Sequence, residues 1–226
     1  EFFMKDAYSF DLNDASAKSS YNKMFFSYLK TFKRLGLEAI PMAADTGPIG
    51  GDLSHEFIIL AETGESKIYT DKSIFEIDLN NYSFNNSSLE KMIKDYSSIY
   101  AVTDDKFKKN EFDKKVPKQN QMITKGIEVG HIFYFGDKYS KPLNCFVDNQ
   151  DGKKNALKMG SYGIGVSRLV GAIIEAKYNN EFMKWPKSVS PFDVVIIPSF
   201  GKNNNENLSK SIKIYEDLKK QNIDVL

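Results

Sequence analysis

The sequence is poor in the residues that carry the commonest covalent and metal chemistry. It holds one cysteine, Cys145, and two histidines, His55 and His131, among 226 residues. A lone cysteine closes no intrachain disulfide, and this set falls short of a Cys/His zinc site. No apolar run approaches the ~20 residues that cross a bilayer. The opening Glu1-Phe2-Phe3-Met4-Lys5-Asp6 has neither a basic n-region nor an apolar h-region. Charge of one sign is missing too: 31 Lys+Arg stand against 30 Asp+Glu, a formal net charge of +1. That balance argues against wholesale neutralisation of a phosphate backbone, although a local basic patch is compatible with it. A reducing, cytoplasmic setting without a membrane span is the expectation.

What is present is the composition of a globular protein, 41% hydrophobic, in a chain long enough to bury roughly 70% of its unfolded surface without staples. Residues 1–10 alternate loosely and run into Asp11-Leu12-Asn13-Asp14, a strand leading to a helix cap. Over 15–35 the apolar positions Ala17, Tyr21, Met24, Phe25, Tyr28, Leu29, Phe32 and Leu35 recur at helical spacing, with Gly36 as a C-cap. An extended segment (37–43), a glycine-rich loop (45–52) and a short β-type run (56–60) follow.

Residues 72–124 shift to Asn, Ser, Lys and Asp, with weak helical patterning over 89–100 and 104–112; they read as a peripheral inserted subdomain rather than sheet core. Strand character returns at 126–135 and continues over 143–147. Met159-Gly160-Ser161-Tyr162-Gly163-Ile164-Gly165 then leads through a glycine turn into a helix with Val166, Leu169, Val170, Ile173 and Ile174 on one stripe. Beyond Trp185-Pro186, a strand (192–198), an Asn-rich loop, a helix (208–221) and a strand (223–226) open a separate α/β unit with parallel pairing.

Three clusters hold candidate chemistry. Gly163-x-Gly165-x-x-Arg168 permits close approach of a ligand and places a planar guanidinium in the first turn of a helix, suited to a phosphate. A dinucleotide fingerprint would want a third glycine at 168 and an acidic residue at the end of a following strand, which makes a nicotinamide-dependent oxidoreductase a poor rival. Gly50-Gly51-Asp52-Leu53-Ser54-His55-Glu56 sets a histidine and a carboxylate at the mouth of a strand; Ser54 and His55 are neighbours pointing to opposite faces, so they form no hydrolytic triad. In Gly126-Ile127-Glu128-Val129-Gly130-His131-Ile132-Phe133, Glu128 lies in an apolar strand where a charge needs a partner or a metal. Lys5 and Asp6 raise the same question more weakly.

Taken together, the segments 1–10, 46–57, 126–133 and 159–169 follow the order and wording of bacterial-type prolyl-tRNA synthetase, and the sequence resembles that family nearly throughout, outside 72–124. The resemblance implies an α+β fold: a class II antiparallel sheet with flanking helices (1–71 and 125–187), interrupted by a reduced insertion (72–124) and followed by the start of an anticodon-binding α/β domain (188–226). It implies an ATP site of Phe2, Asp6, Glu128, Gly163, Gly165 and Arg168. There Phe2 would stack on adenine, Arg168 would hold the γ-phosphate, and Glu128 would meet Mg²⁺ or ATP. His55, Glu56, His131, Phe133, Ser161 and Gly163 would line the proline pocket, with Arg168 and Glu128 the groups closest to catalysis.

The activity so implied is ATP-dependent activation of L-proline and its transfer to tRNA(Pro), with no covalent enzyme intermediate. A homodimer is the expected assembly. The family's first motif, its α-phosphate arginine and its Thr-x-Glu segment would lie upstream, so the sequence is expected to be an internal piece of a longer protein and inactive alone. The insertion resembles the reduced form of alphaproteobacterial members rather than the large editing domain of other bacteria. Two rivals follow the resemblance: a non-catalytic synthetase-like module that binds tRNA or protein, and a sister synthetase for threonine, serine or histidine. The wording Gly-Gly-x-x-Ser-His-Glu-Phe and Gly-His-Ile-Phe favours proline.

Overall fold

The structure, a computed structural model, describes residues 2–44, 53–179, 181–199, 201 and 204–226. It divides into two compact units, 1–183 and 184–226.

The first unit is organised by one long helix. In α1 (Asp14–Arg34), the side chain of Asn13 accepts the Ser16 amide at 2.9 Å and satisfies one of the free donors at the N-terminus. At the other end Gly36, at φ 73°, takes the left-handed conformation that costs glycine least. Its amide donates to Lys33 O and that of Leu37 to Phe32 O, the paired bonds of a Schellman stop. The buried stripe Ala17, Tyr21, Phe25, Tyr28, Leu29 and Phe32 matches the periodicity read from the sequence.

That stripe lies across a seven-stranded sheet. Its strands are β1 (Met4–Asp11), β2 (Ala39–Ala43), β3 (Leu53–Leu60), β4 (Ser66–Asp71), β5 (Ala101–Thr103), β6 (Gln121–Gly136) and, after a small hairpin of β7 (Phe146–Asp148) and β8 (Lys154–Ala156), β9 (Lys158–Gly165). The order is β1-β9-β6-β3-β2-β5-β4, antiparallel throughout except where β2 meets β5. The long β6 pairs first with β4, then with β3, so that β6, β3, β2, β5 and β4 close a ring. Ile40, Met42, Ile58, Ile68 and Ala101 of those strands form an apolar cluster with Ile74 of a 3₁₀ turn (Lys72–Glu76). The mixed, antiparallel-rich architecture agrees with the class II expectation.

Three local expectations are corrected. Segment 160–165 is not a glycine turn but the body of β9, paired with β1 on one side and β6 on the other; α4 (Val166–Lys177) starts directly at its end. Its glycines interrupt side-chain periodicity without interrupting the ladder. The strand expected over 143–147 begins only at Phe146, because Asn144 adopts φ 53° and the preceding residues form turns. Nor is 72–124 wholly outside the sheet: it supplies β5 and the start of β6, and buries Ile74 and Ala101 in the core cluster. Three residues of β5 are too few to show a period of two. Elsewhere in this segment α2 (Asn86–Ser98) packs on α1, and α3 (Lys109–Lys115) follows a short 3₁₀ turn at Asp104–Lys106.

In the second unit α5 (Asn204–Lys220) connects segments whose Val194 and Val225 form a parallel bridge, with Ile196 N–H donating to Leu226 O at 2.9 Å. No helix among the described residues is long and apolar enough to cross a membrane.

Candidate active site

The sheet face opposite α1 carries a cleft of ≈ 270 Å³ built from β1, β6, β9 and the first turn of α4. Alternation along β1 turns Lys5 toward the helix and Asp6 into the cleft. Lys5 is satisfied there, donating to the Tyr28 hydroxyl at 2.8 Å and the Tyr162 carbonyl at 2.9 Å. Ser161, Gly163 and Gly165 of β9 face the cleft with Asp6 and Met4. A side chain at 165 would place its first carbon 2.9 Å from Phe2 Cζ, so glycine leaves room for that ring. At 163 the same atom would meet Met4 Cε at 3.2 Å.

On β6 a bulge decides what the cleft receives. Phe57 pairs with Gly130 and Ile58 with Glu128, so Val129 is an extra residue opposite β3. In a regular strand residues three apart point to opposite faces. The bulge resets the alternation, and Glu128 and His131 meet on one face with Oε1 and Nδ1 3.2 Å apart. Glu56 of β3 approaches the same nitrogen at 4.0 Å. One donor atom from each of Glu56, Glu128 and His131 lies within 4.8 Å of the other two. Phe133 stacks on the His131 ring at 3.8 Å. Burial, then the charges of Glu128 and Asp105, push the Glu56 carboxyl up to about 7.

Arg168 closes the far side. Its guanidinium donates to the Glu128 carbonyl at 2.9 Å, lies 3.8 Å from the Glu128 carboxylate, and sits over the Phe2 ring.

The structure thus brings Phe2, Asp6, Glu128, His131, Phe133, Ser161, Gly163, Gly165 and Arg168 to one cleft, with Glu56 beside it. His55 is elsewhere. It shares the α1 face with Phe57, is 8% exposed, packs edge-on against Phe25, and has its Nδ1 2.6 Å from the Tyr21 hydroxyl. Burial holds its imidazole down to about 4, with Lys106 and His131 adding to the effect. Neighbours on a strand face opposite ways, so His55 lies on the α1 side of β3 and does not line the cleft that holds Glu128 and His131. Gly50, Gly51 and Asp52 lie outside the described residues. Ser54, which forms no triad with its neighbour His55, has its Oγ 2.5 Å from Nε2 of the other histidine, His131, 77 residues away on β6. The alternation that puts it opposite His55 was the available signal.

An aromatic ring, a guanidinium fork and a carboxylate pair around one cleft can hold a base, a polyphosphate and a cation. Residues 1–177 match the family model for the tRNA synthetase class II core domain (G, H, P, S and T). The chain belongs to the class II tRNA synthetase core family. Within that family it is 63% identical over its whole length to a proline–tRNA ligase of Pelagibacter ubique, of which it covers 51%. It is 48% identical over its whole length to a proline–tRNA ligase of a Bradyrhizobium species, again covering 51%. Over 87% of its length it is 54% identical to one from Bartonella tribocorum, covering 45%. The chain spans about half the length of these curated relatives.

Proposed function

We propose that the protein to which this class II core belongs is a proline–tRNA ligase, which activates L-proline with ATP and transfers it to tRNA(Pro). Whole-chain identity of 63% to a protein of that name carries the reading; the composition of the cleft supports it.

In this reading Phe2 receives adenine on its face and Arg168 binds the terminal phosphates through its fork, which a lysine could not reproduce. Gly163 and Gly165 let the nucleotide approach the backbone of β9. Asp6 and Ser161 offer polar contacts at the cleft floor. The donor set at Glu56, Glu128 and His131 fits a hard cation through its two carboxylates, while the imidazole does not suit Mg²⁺. Glu128, supported by Glu56, would hold Mg²⁺. When bound, the ion neutralises charge on the phosphates. His131 and Phe133 form the wall against which the proline ring rests.

The proline carboxylate attacks the α-phosphorus in line and pyrophosphate leaves, giving prolyl-adenylate; the terminal ribose hydroxyl of the tRNA then attacks the prolyl carbonyl, the acyl–phosphate bond breaks and AMP leaves. Neither step uses a protein nucleophile. The site contributes position and charge complementarity, which suffice for phosphoryl and acyl transfers of this kind.

Proline-dependent exchange of labelled pyrophosphate into ATP by the full-length protein is the test. Exchange with proline, and not with threonine, serine or histidine, is expected. Failure of proline to support exchange overturns the reading.

A further inference from the structure

The geometry points to Ser54 as the positioning residue of His131, a role that rests on the proline–tRNA ligase reading of the same cleft. Three contacts fix the imidazole. Phe133 stacks on its face at 3.8 Å, Glu128 Oε1 sits 3.2 Å from Nδ1, and Ser54 Oγ sits 2.5 Å from Nε2. A carboxylate accepts hydrogen bonds, so Nδ1 carries the proton, and in the neutral imidazole Nε2 is then the acceptor that the Ser54 hydroxyl satisfies. The ring therefore presents Nδ1–H to Glu128 and Glu56 and cannot turn about without losing a bond at each end.

A serine, a histidine and a glutamate in this order share the connectivity of a hydrolytic triad. Ser54 does not act as a nucleophile here. It is 4% exposed, its backbone lies inside the β3–β6 ladder opposite Phe133, and only His131, not Ser54, lines the cleft. Ser54 borders instead a separate space of ≈ 1110 Å³, and its hydroxyl, engaged by the imidazole, orients the ring without meeting a substrate held in the cleft.

This arrangement mirrors the one on the other face of the same strand. His55 meets the buried Tyr21 hydroxyl at Nδ1, and a phenol O–H needs an acceptor, which leaves the proton on Nε2. Adjacent positions of β3 thus hold the two histidines in opposite tautomers, one by supplying the hydroxyl and one by receiving it.

The test compares variants that differ in the hydroxyl and little else, in the full-length protein. Threonine and valine have nearly the same shape, and alanine removes the hydroxyl without adding bulk. Ser54→Thr is expected to keep the KM for proline near that of the parent. Ser54→Val and Ser54→Ala are expected to raise it roughly 10-fold or more, the scale seen when a partner behind a binding residue is lost, while the KM for ATP stays put. Imidazole ¹⁵N spectra, with the His131 signals assigned by their absence in His131→Asn, provide a second readout. The Nε2 resonance should move toward that of an unbonded imine nitrogen in Ser54→Ala and Ser54→Val and stay in Ser54→Thr. Equal proline KM across the folded variants, or an unmoved Nε2 resonance in Ser54→Ala, overturns the inference. A parent protein without proline-dependent exchange would instead overturn the synthetase reading, and the ¹⁵N comparison would still decide the role of Ser54.

Discussion

The guanidinium carbon of Arg168 sits 5.0 Å above the ring centroid of Phe2, which joins the start of α4 to the residues leading into β1. Both side chains are partly exposed, so the contact is worth only ~0.5–1 kcal/mol. A phosphate offered to the fork outcompetes it readily. The same guanidinium remains anchored through its bond to the Glu128 carbonyl.

Replacing Arg168 by alanine should therefore lower adenylate formation by ~100-fold or more, since one charge-matched donor in a preorganised site contributes about 3 kcal/mol. Arg168→Lys should recover only part, because it keeps the charge and loses the fork. Proline-dependent pyrophosphate exchange measures both. Parent-like rates in the two variants would make Arg168 a structural tie between α4 and β6.

Glu56 and His55 pull stability in opposite directions with pH. The Glu56 carboxyl is raised from 4.5 to about 7, so its contribution is complete below 4.5 and is lost as pH rises through 7. His55 is lowered from 6.5 to about 4, so its contribution is complete above 6.5 and is lost as pH falls through 4. Urea unfolding with divalent cations chelated separates the two. Glu56→Gln should be more stable than the parent at pH 8, by about 2 kcal/mol after allowance for solvent access, and should lose that advantage toward pH 4.5. Tyr21→Phe strips the buried His55 of its partner and should cost about 1–3 kcal/mol at neutral pH. A Glu56→Gln difference that does not change with pH would show that its burial does not govern the titration.

Gly165→Ala should weaken ATP binding while leaving the fold intact. Its added carbon meets the rim of the Phe2 ring at 2.9 Å, and the exposed ring can swing away. A several-fold rise in the KM for ATP with little change in thermal midpoint is expected. An unchanged KM would place adenine elsewhere.

The amphipathic α1, with its cap and its stop, was legible because each signal is local: Asn13, a helical stripe and Gly36. The residues of the cleft were legible only as wording, since 1–10, 126–133 and 159–169 meet through strand pairing that no period reveals. What stayed hidden depended on register. The extra residue at Val129 is invisible in an apolar run, yet it sets Glu128 beside His131. The partner of Ser54 belongs to β6 rather than to its own segment. β5 is too short to announce itself, and the polar residues around it concealed a contribution to the core.

The insertion should not clear mischarged alanyl-tRNA. A space of ≈ 1110 Å³ that residues of 72–124 border is shared with β2 and β3, so the segment does not enclose it alone. A proline site rejects alanine by only a few kcal/mol, so some mischarging is expected. Deacylation of alanyl-tRNA(Pro) by the full-length protein should match a control without enzyme. Point variants such as Lys106→Ala and Lys108→Ala, which line that space, are the proper probes. Excision of the segment would remove β5 and the start of β6 from the sheet. Hydrolysis above the control that these variants abolish would show that the segment edits.

Among the described residues β1 pairs in the sheet with β9, as in the bond between Ser9 and Tyr162, 153 residues apart. During synthesis at roughly 5–20 residues per second, ~10–30 s separate the emergence of β1 from that of β9. Phe3, Met4, Tyr8 and Phe10 are apolar side chains that the β9 pairing leaves exposed among the described residues. The β1–β9 pairing is thus a closure of high contact order, which favours slow folding.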